Sequence, residues 1–138
     1  MEVLTMDEDL PPDILRGATL RGKEYGWSVS SFPDALATAE ACGYACLGGQ
    51  FQFRLGHGST CEMYWLSADS AERRQGESWI DYSHRSCSEV LKRFQHLVSA
   101  TDFMREASVW PSAPIDPTKN LVFVAYFVTE GELAALKK

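Results

Sequence analysis

The sequence predicts a single α+β domain. Three observations point to it: an alternating hairpin over residues 50–66, an apolar run at Leu121 to Val128, and two helical periodicities at about residues 31–43 and 78–100. A small antiparallel or mixed sheet packed against two helices satisfies that order.

Each element has its own signal. Residues 1–12 are acidic and end in Pro11-Pro12, which predicts a flexible N-terminal tail ahead of a domain over 13–138. Asp13 is placed to cap a short turn through Ile14 and Leu15, and Gly17 and Gly22 bracket a loop. Ser30-Ser31 opens the first helix with a capping hydroxyl, Pro33 suits its first turn, and Phe32, Ala35, Leu36 and Ala39 repeat at helical spacing. Gly43 stops it. Residues 44–47 read as a short buried strand ended by Gly48-Gly49, a tight turn or a bulge.

In the hairpin, Phe51 and Phe53 take one face and Gln50, Gln52 and Arg54 the other. Gly56-His57-Gly58 is its turn. On the return strand Cys61, Met63 and Trp65 alternate with Glu62 and Tyr64. Residues 67–76 are polar and read as a loop. The long helix is expected to bury Ile80, Cys87, Leu91, Phe94 and Val98, with Trp79, Val90 and Leu97 at the edge of that stripe. Three prolines between residues 101 and 120 predict irregular structure. Leu121 to Val128 is apolar on both faces, hence a central strand. Thr129 and Glu132 form a capping box for a final short helix.

Composition narrows function. The 138 residues carry a net charge of -6 and no run of basic residues, which disfavours nucleic acid and suits a basic partner. No stretch approaches the roughly 20 apolar residues of a membrane span, and the first residues do not resemble a secretion signal. The expected setting is the cytoplasm, with the thiols of Cys42, Cys46, Cys61 and Cys87 reduced.

Catalytic and metal readings each meet a simpler structural one. Cys42, Cys46, His57 and Cys61 lack the paired spacing of a zinc site, and the cysteines read as buried small hydrophobes. His84 and Cys87 are one helical turn apart, but Cys87 lies mid-helix on the apolar stripe rather than at an activating helix N-terminus. There is no nucleophile elbow and no phosphate-cradling loop. No catalytic residue, cofactor or metal is therefore expected. A hydrolase or transferase working from an acidic cleft, and a general adaptor, are the rival readings. The polar hairpin face and the loop after it read either as a merely wet surface or as an acidic, aromatic docking patch: Gln52, Glu62, Tyr64, Asp69, Glu72, Arg74, Glu77 and Asp81.

A set of ordered pieces adds to this. Glu24-Tyr25-Gly26-Trp27-Ser28, Asp34-Ala35 within a helix, Leu47-Gly48-Gly49, Tyr64-Trp65, and Glu77-Ser78-Trp79 with Tyr82 resemble the immunity protein 40 family. These are small bacterial proteins encoded beside polymorphic toxins, and the strand over residues 121–127 fits the family's apolar C-terminal strand. The resemblance implies a non-catalytic protein that neutralises a cognate toxin by stoichiometric binding, in contact-dependent or type VI secretion competition. Within it, Glu24, Trp27, Gly48, Gly49, Trp65, Trp79 and Arg85 are expected to be architectural, with Glu24 and Arg85 as a clamp.

Overall fold

The computed structural model describes residues 10–55, 58–110 and 117–136. In chain order the elements are β1 (Ala18–Arg21), β2 (Glu24–Ser28), α1 (Phe32–Ala41), β3 (Ala45–Arg54), β4 (Thr60–Asp69), α2 (Trp79–Ala100), α3 (Phe103–Ser108), a 3-10 turn (Pro117–Asn120), β5 (Leu121–Val128) and α4 (Glu130–Leu136). The described strands form one antiparallel sheet in the order β1-β2-β5-β3-β4. The α+β expectation holds, and the sheet is antiparallel throughout.

β5 sits in the centre, as its two apolar faces demand. One face carries Leu121, Phe123, Ala125 and Phe127 into the main core with Phe51 and Phe53 of β3 and Trp27 of β2. Rings from the helices interleave with them. Phe32 of α1 lies 4.7 Å from Phe123 and 4.8 Å from Phe94 of α2, centroid to centroid, and Phe94 lies 5.5 Å from Phe51. Such tilted and offset pairs add about 0.5–1.5 kcal/mol each beyond the area they bury.

Trp27 is fully buried, and its indole N–H donates to the Ile14 carbonyl at 2.8 Å. That bond ties the segment before β1 to the sheet. Leu10 is buried in the same core, so residues 10–12 belong to the domain rather than to a tail. Residues 1–9 lie outside the described residues.

Several boundaries move, each for a physical reason. The loop expected between Gly17 and Gly22 contains β1, which pairs with β2 from Ala18↔Trp27 to Arg21↔Glu24. Of the two readings of Gly48-Gly49, the bulge holds and the turn does not. The pair lies inside β3, where the register against β5 shifts between Cys46 and Gly48. Gly49 is there because β5 passes so close that a Cβ would sit 2.0 Å from the Val124 carbonyl oxygen. Gly48 has φ of +129°, and its missing Cβ would strike Asp69.

β4 runs on to Asp69, so the expected loop starts only at Ser70. The hairpin turn at Gly56 and His57 falls outside the described residues, as do Pro111 and Pro114. The segment between them and α2 is not irregular: Asp102 caps α3 by accepting from the Arg105 amide.

The helix signals are mixed in outcome. Thr129 and Glu132 form the capping box in both directions, at 2.8 and 3.2 Å. Gly43 ends α1, with the Tyr44 amide returning to the Ala39 carbonyl. Ser31, however, caps nothing with its side chain; its hydroxyl bonds Ser28 and the Gly17 carbonyl instead. In α2 the stripe is rotated. Tyr82, Ser83, Ser86, Cys87, Val90 and Phe94 are buried, whereas Ile80 is 79% exposed. Buried serines are invisible to a hydrophobic period. They pay no polar penalty because Ser86 Oγ accepts from the Cys46 amide and Ser83 Oγ donates to the Tyr44 carbonyl.

Candidate interaction surface

β4 leaves its regular pairing midway. Met63 faces Phe51 and Ser67 faces Gln50, so Tyr64, Trp65 and Leu66 stand opposite no residue of β3. This bulge breaks the alternation. Cys61 and Met63 point inward before it, Leu66 and Ala68 point inward after it, and Tyr64 and Trp65 are both turned out. They are 68% and 58% exposed. Trp65 therefore does not join Cys61 and Met63 on the inner face, and it is not architectural as expected. Its indole N–H reaches Glu106 Oε1 of α3 at 2.9 Å.

Beyond the bulge the chain runs through Asp69 into residues 70–78, and this segment is held at many points. Arg85 of α2 is the hub. Its Nε and Nη2 bond Glu77 Oε2 and Oε1, both at 2.8 Å, while Nη1 bonds Glu89 at 3.1 Å. The same guanidinium donates to the Glu72 carbonyl at 3.0 Å. Two parallel N–H···O bonds of this kind fix geometry as well as charge. They hold the Glu77 carboxyl far below its ordinary range, at about 2, with help from the Arg74 amide. Arg85 is raised in turn, first by its bonds to Glu77.

Further ties complete the frame. Ser70 Oγ donates to the Cys46 carbonyl at 2.7 Å, and Arg93 donates to the Asp69 carbonyl at 2.6 Å. Arg73 pairs with Glu130 at 2.9 Å and lies 5.2 Å from the Trp79 ring centroid. Trp79 is half-buried, stacks edgewise on Tyr82 and donates to the Gly43 carbonyl at 2.8 Å. Ser78 caps α2 by accepting from the Asp81 amide.

The expected contact residues thus divide. Tyr64, Asp69, Glu72, Arg74 and Asp81 are exposed along β4, the segment after it and the start of α2. Glu77 is absorbed by the Arg85 clamp. Gln52 and Glu62 do not form the open polar face expected of them: Gln52 is fully buried and donates to Glu62, which is half-buried. The clamp expected between Glu24 and Arg85 is also absent, because Glu24 accepts from the Tyr126 hydroxyl at 2.5 Å.

The sheet face bearing Gln52 carries a network that the sequence did not announce. Arg54, 6% exposed, donates through Nε to Gln52 and through Nη1 to the carbonyl and hydroxyl of Thr19; Nη2 reaches the Glu24 carbonyl. Gln50 donates to the Tyr126 oxygen. Burial raises the Glu62 carboxyl above its ordinary range; its Oε2 is buried without a partner. A row of Gln, Gln and Arg alternating with Phe reads as solvated, yet these side chains satisfy one another.

Among the described residues no three His, Cys, Asp or Glu side chains converge on a metal-sized site. Cys87 is buried, its thiol pushed up to about 12 by that burial, and His84 pairs with Glu40 at 2.9 Å. No described helix is long and apolar enough to cross a membrane. Comparison with known proteins finds no match among family models, curated proteins or solved structures.

Proposed function

We propose that this protein binds and neutralises a partner protein, as an immunity protein does for its cognate toxin, in the cytoplasm of the cell that makes it. One observation carries the reading: the β4 bulge presents Tyr64 and Trp65 side by side to solvent, and the polar segment that follows β4 is fixed in place by Arg85. Exposed aromatics that are already positioned lose little entropy on association, and Tyr and Trp dominate the energetics of interface centres. Glu106 lies against Trp65, Asp69 and Glu72 are exposed further along the same chain segment, and the net charge of -6 suits a basic partner. The order of motif pieces that resembles immunity protein 40 supports the toxin as that partner. An interface of the usual size, about 1,600 Å² in total, would extend from the bulge across the Arg85 segment.

The test is co-expression with the product of an adjacent toxin gene, followed by titration of the purified pair. Growth rescue and a one-to-one complex are expected. Tyr64→Ala with Trp65→Ala should weaken binding by at least about 100-fold, since truncating a central aromatic typically costs 2 kcal/mol or more. The urea midpoint of the free protein should not move. An unchanged affinity for the double variant, or no complex with the toxin, refutes the proposal. Glu62 is the wrong site for such a test, because its carboxylate is bonded inside the sheet network.

A further inference from the structure

At the far edge of the sheet from the bulge, an open cleft of about 650 Å³ lies among β1, the end of β2, the start of β5 and Arg54 of β3. Its described lining includes Arg21, Arg54 and Lys119, together with Ser28, Ser30 and Asn120, and no carboxylate. That is unexpected in a chain of net charge -6, whose acidic side chains outnumber its Lys and Arg by 19 to 13. We propose that this cleft binds a small organic oxyanion, a ligand bearing a phosphoryl or carboxylate group, held by Arg21, Arg54 and Lys119.

A guanidinium as deeply buried as that of Arg54 is expected to face a carboxylate, since an uncompensated charge out of water is costly. Here its four hydrogen bonds all go to neutral oxygens, those of Gln52, Thr19 and the Glu24 backbone. Among the described residues it makes no ion pair. Glu24 and Glu62 favour its charge only from a distance, and neither lines the cleft. Burial and the neighbouring Arg21 both press its pKa downward.

Arg21 repeats the pattern: its Nη1 donates to the carbonyls of Leu55 and Ser59, at 2.7 and 3.1 Å. Lys119 stands exposed at the rim. Arg21, Arg54 and Lys119 line one space together with serine hydroxyls, and no carboxylate stands among its described lining. Three cationic side chains about one cleft suit the negative charge of a phosphate or carboxylate. The volume falls within the usual range for small-molecule sites. The site shares no residue with the bulge surface, so it stands independently of the neutralisation proposal.

The experiment is a titration of the full chain with inorganic phosphate and, separately, succinate, at ionic strength held constant with sodium chloride. Thermal melting and amide chemical-shift changes are the readouts. One or both probes should raise the melting temperature to a plateau and shift amides of β1 and of Asn120 to Val122. Phosphate alone assigns a phosphoryl ligand; succinate alone assigns a carboxylate. Lys119→Gln should weaken the binding several-fold, and Lys119→Gln with Arg21→Gln at least tenfold. Lys119→Gln is exposed and leaves the fold intact, so it serves if the double variant is destabilised. A response that does not saturate with either probe, or that is equal in Lys119→Gln and the parent, overturns the proposal.

Discussion

Replacing Trp27 by Phe separates architecture from surface, because the same replacement at Trp65 provides the control. Trp27 is fully buried against Phe127, Phe32 and Tyr25, at centroid distances of 5.4, 6.2 and 6.4 Å. Its indole N–H is the donor to the Ile14 carbonyl. Phenylalanine removes that donor and leaves the carbonyl unpaired, at a cost of about 1–3 kcal/mol. The smaller ring leaves a void, and at about 24 cal/mol per Å³ this adds roughly 1 kcal/mol. The sum is about 2–4 kcal/mol, against a total stability on the order of 7–20 kcal/mol for a chain of this length. Urea denaturation followed by circular dichroism should show a lower midpoint at unchanged slope, and melting should fall by roughly 5–15 °C. Trp65→Phe loses only an exposed bond to Glu106 and should stay within about 0.5 kcal/mol of the parent. A Trp27→Phe loss below about 1 kcal/mol, or equal losses at both sites, would refute the assignment of Trp27 to the frame and Trp65 to the surface.

Acid should release the Arg85 clamp. The Glu77 carboxyl is depressed from 4.5 to about 2 in the folded state, so the unfolded chain binds its proton first; the group's contribution is complete above about pH 4.5 and is lost as pH falls through about 2. The urea-midpoint difference between parent and Glu77→Gln should therefore shrink over that window, and a difference that is flat with pH would contradict the clamp. Thiol reagents should modify Cys42 alone in the folded protein, since it is exposed while Cys46, Cys61 and Cys87 are buried; rapid labelling of two or more thiols would count against the packing. Gly49→Ala should cost about 3 kcal/mol or more, because the new Cβ meets backbone of β5 rather than a side chain that can swing away. Gly131→Ala, in α4 with open space around the position, should instead gain about 0.5 kcal/mol by the same denaturation assay.

What the sequence makes legible is whatever obeys a single period. Phe51 and Phe53, Cys61 and Met63, the buried side of α1 and the uniform run of β5 all follow from alternation or helical spacing. The capping box at Thr129 is read because its two side chains act locally. Illegibility begins where a tertiary neighbour sets the rule. Gly48 and Gly49 look like punctuation until β5 and Asp69 are seen lying against them. Trp65 continues an inward alternation that the bulge cancels. β1 and β2 are too short and too polar to announce themselves, and they exist because β5 offers an edge to pair with. The site suffers most from the assumption that polar means wet: Gln52 and Arg54 are buried by finding one another.

The placement of β5 governs how the chain can be made. During synthesis the ribbon β1-β2 and the ribbon β3-β4 emerge first, and neither has its inner partner. β5 is the strand that joins them, and it leaves the ribosome nearly a hundred residues after β2. Until then two strand edges and the aromatic faces of Trp27, Phe51 and Phe53 stay open, a state prone to mispairing with other chains. Closure at such sequence separation is slow. The sheet therefore closes only once β5 is available, and a ribosome stalled before Leu121 would hold two unjoined halves rather than a smaller version of the domain.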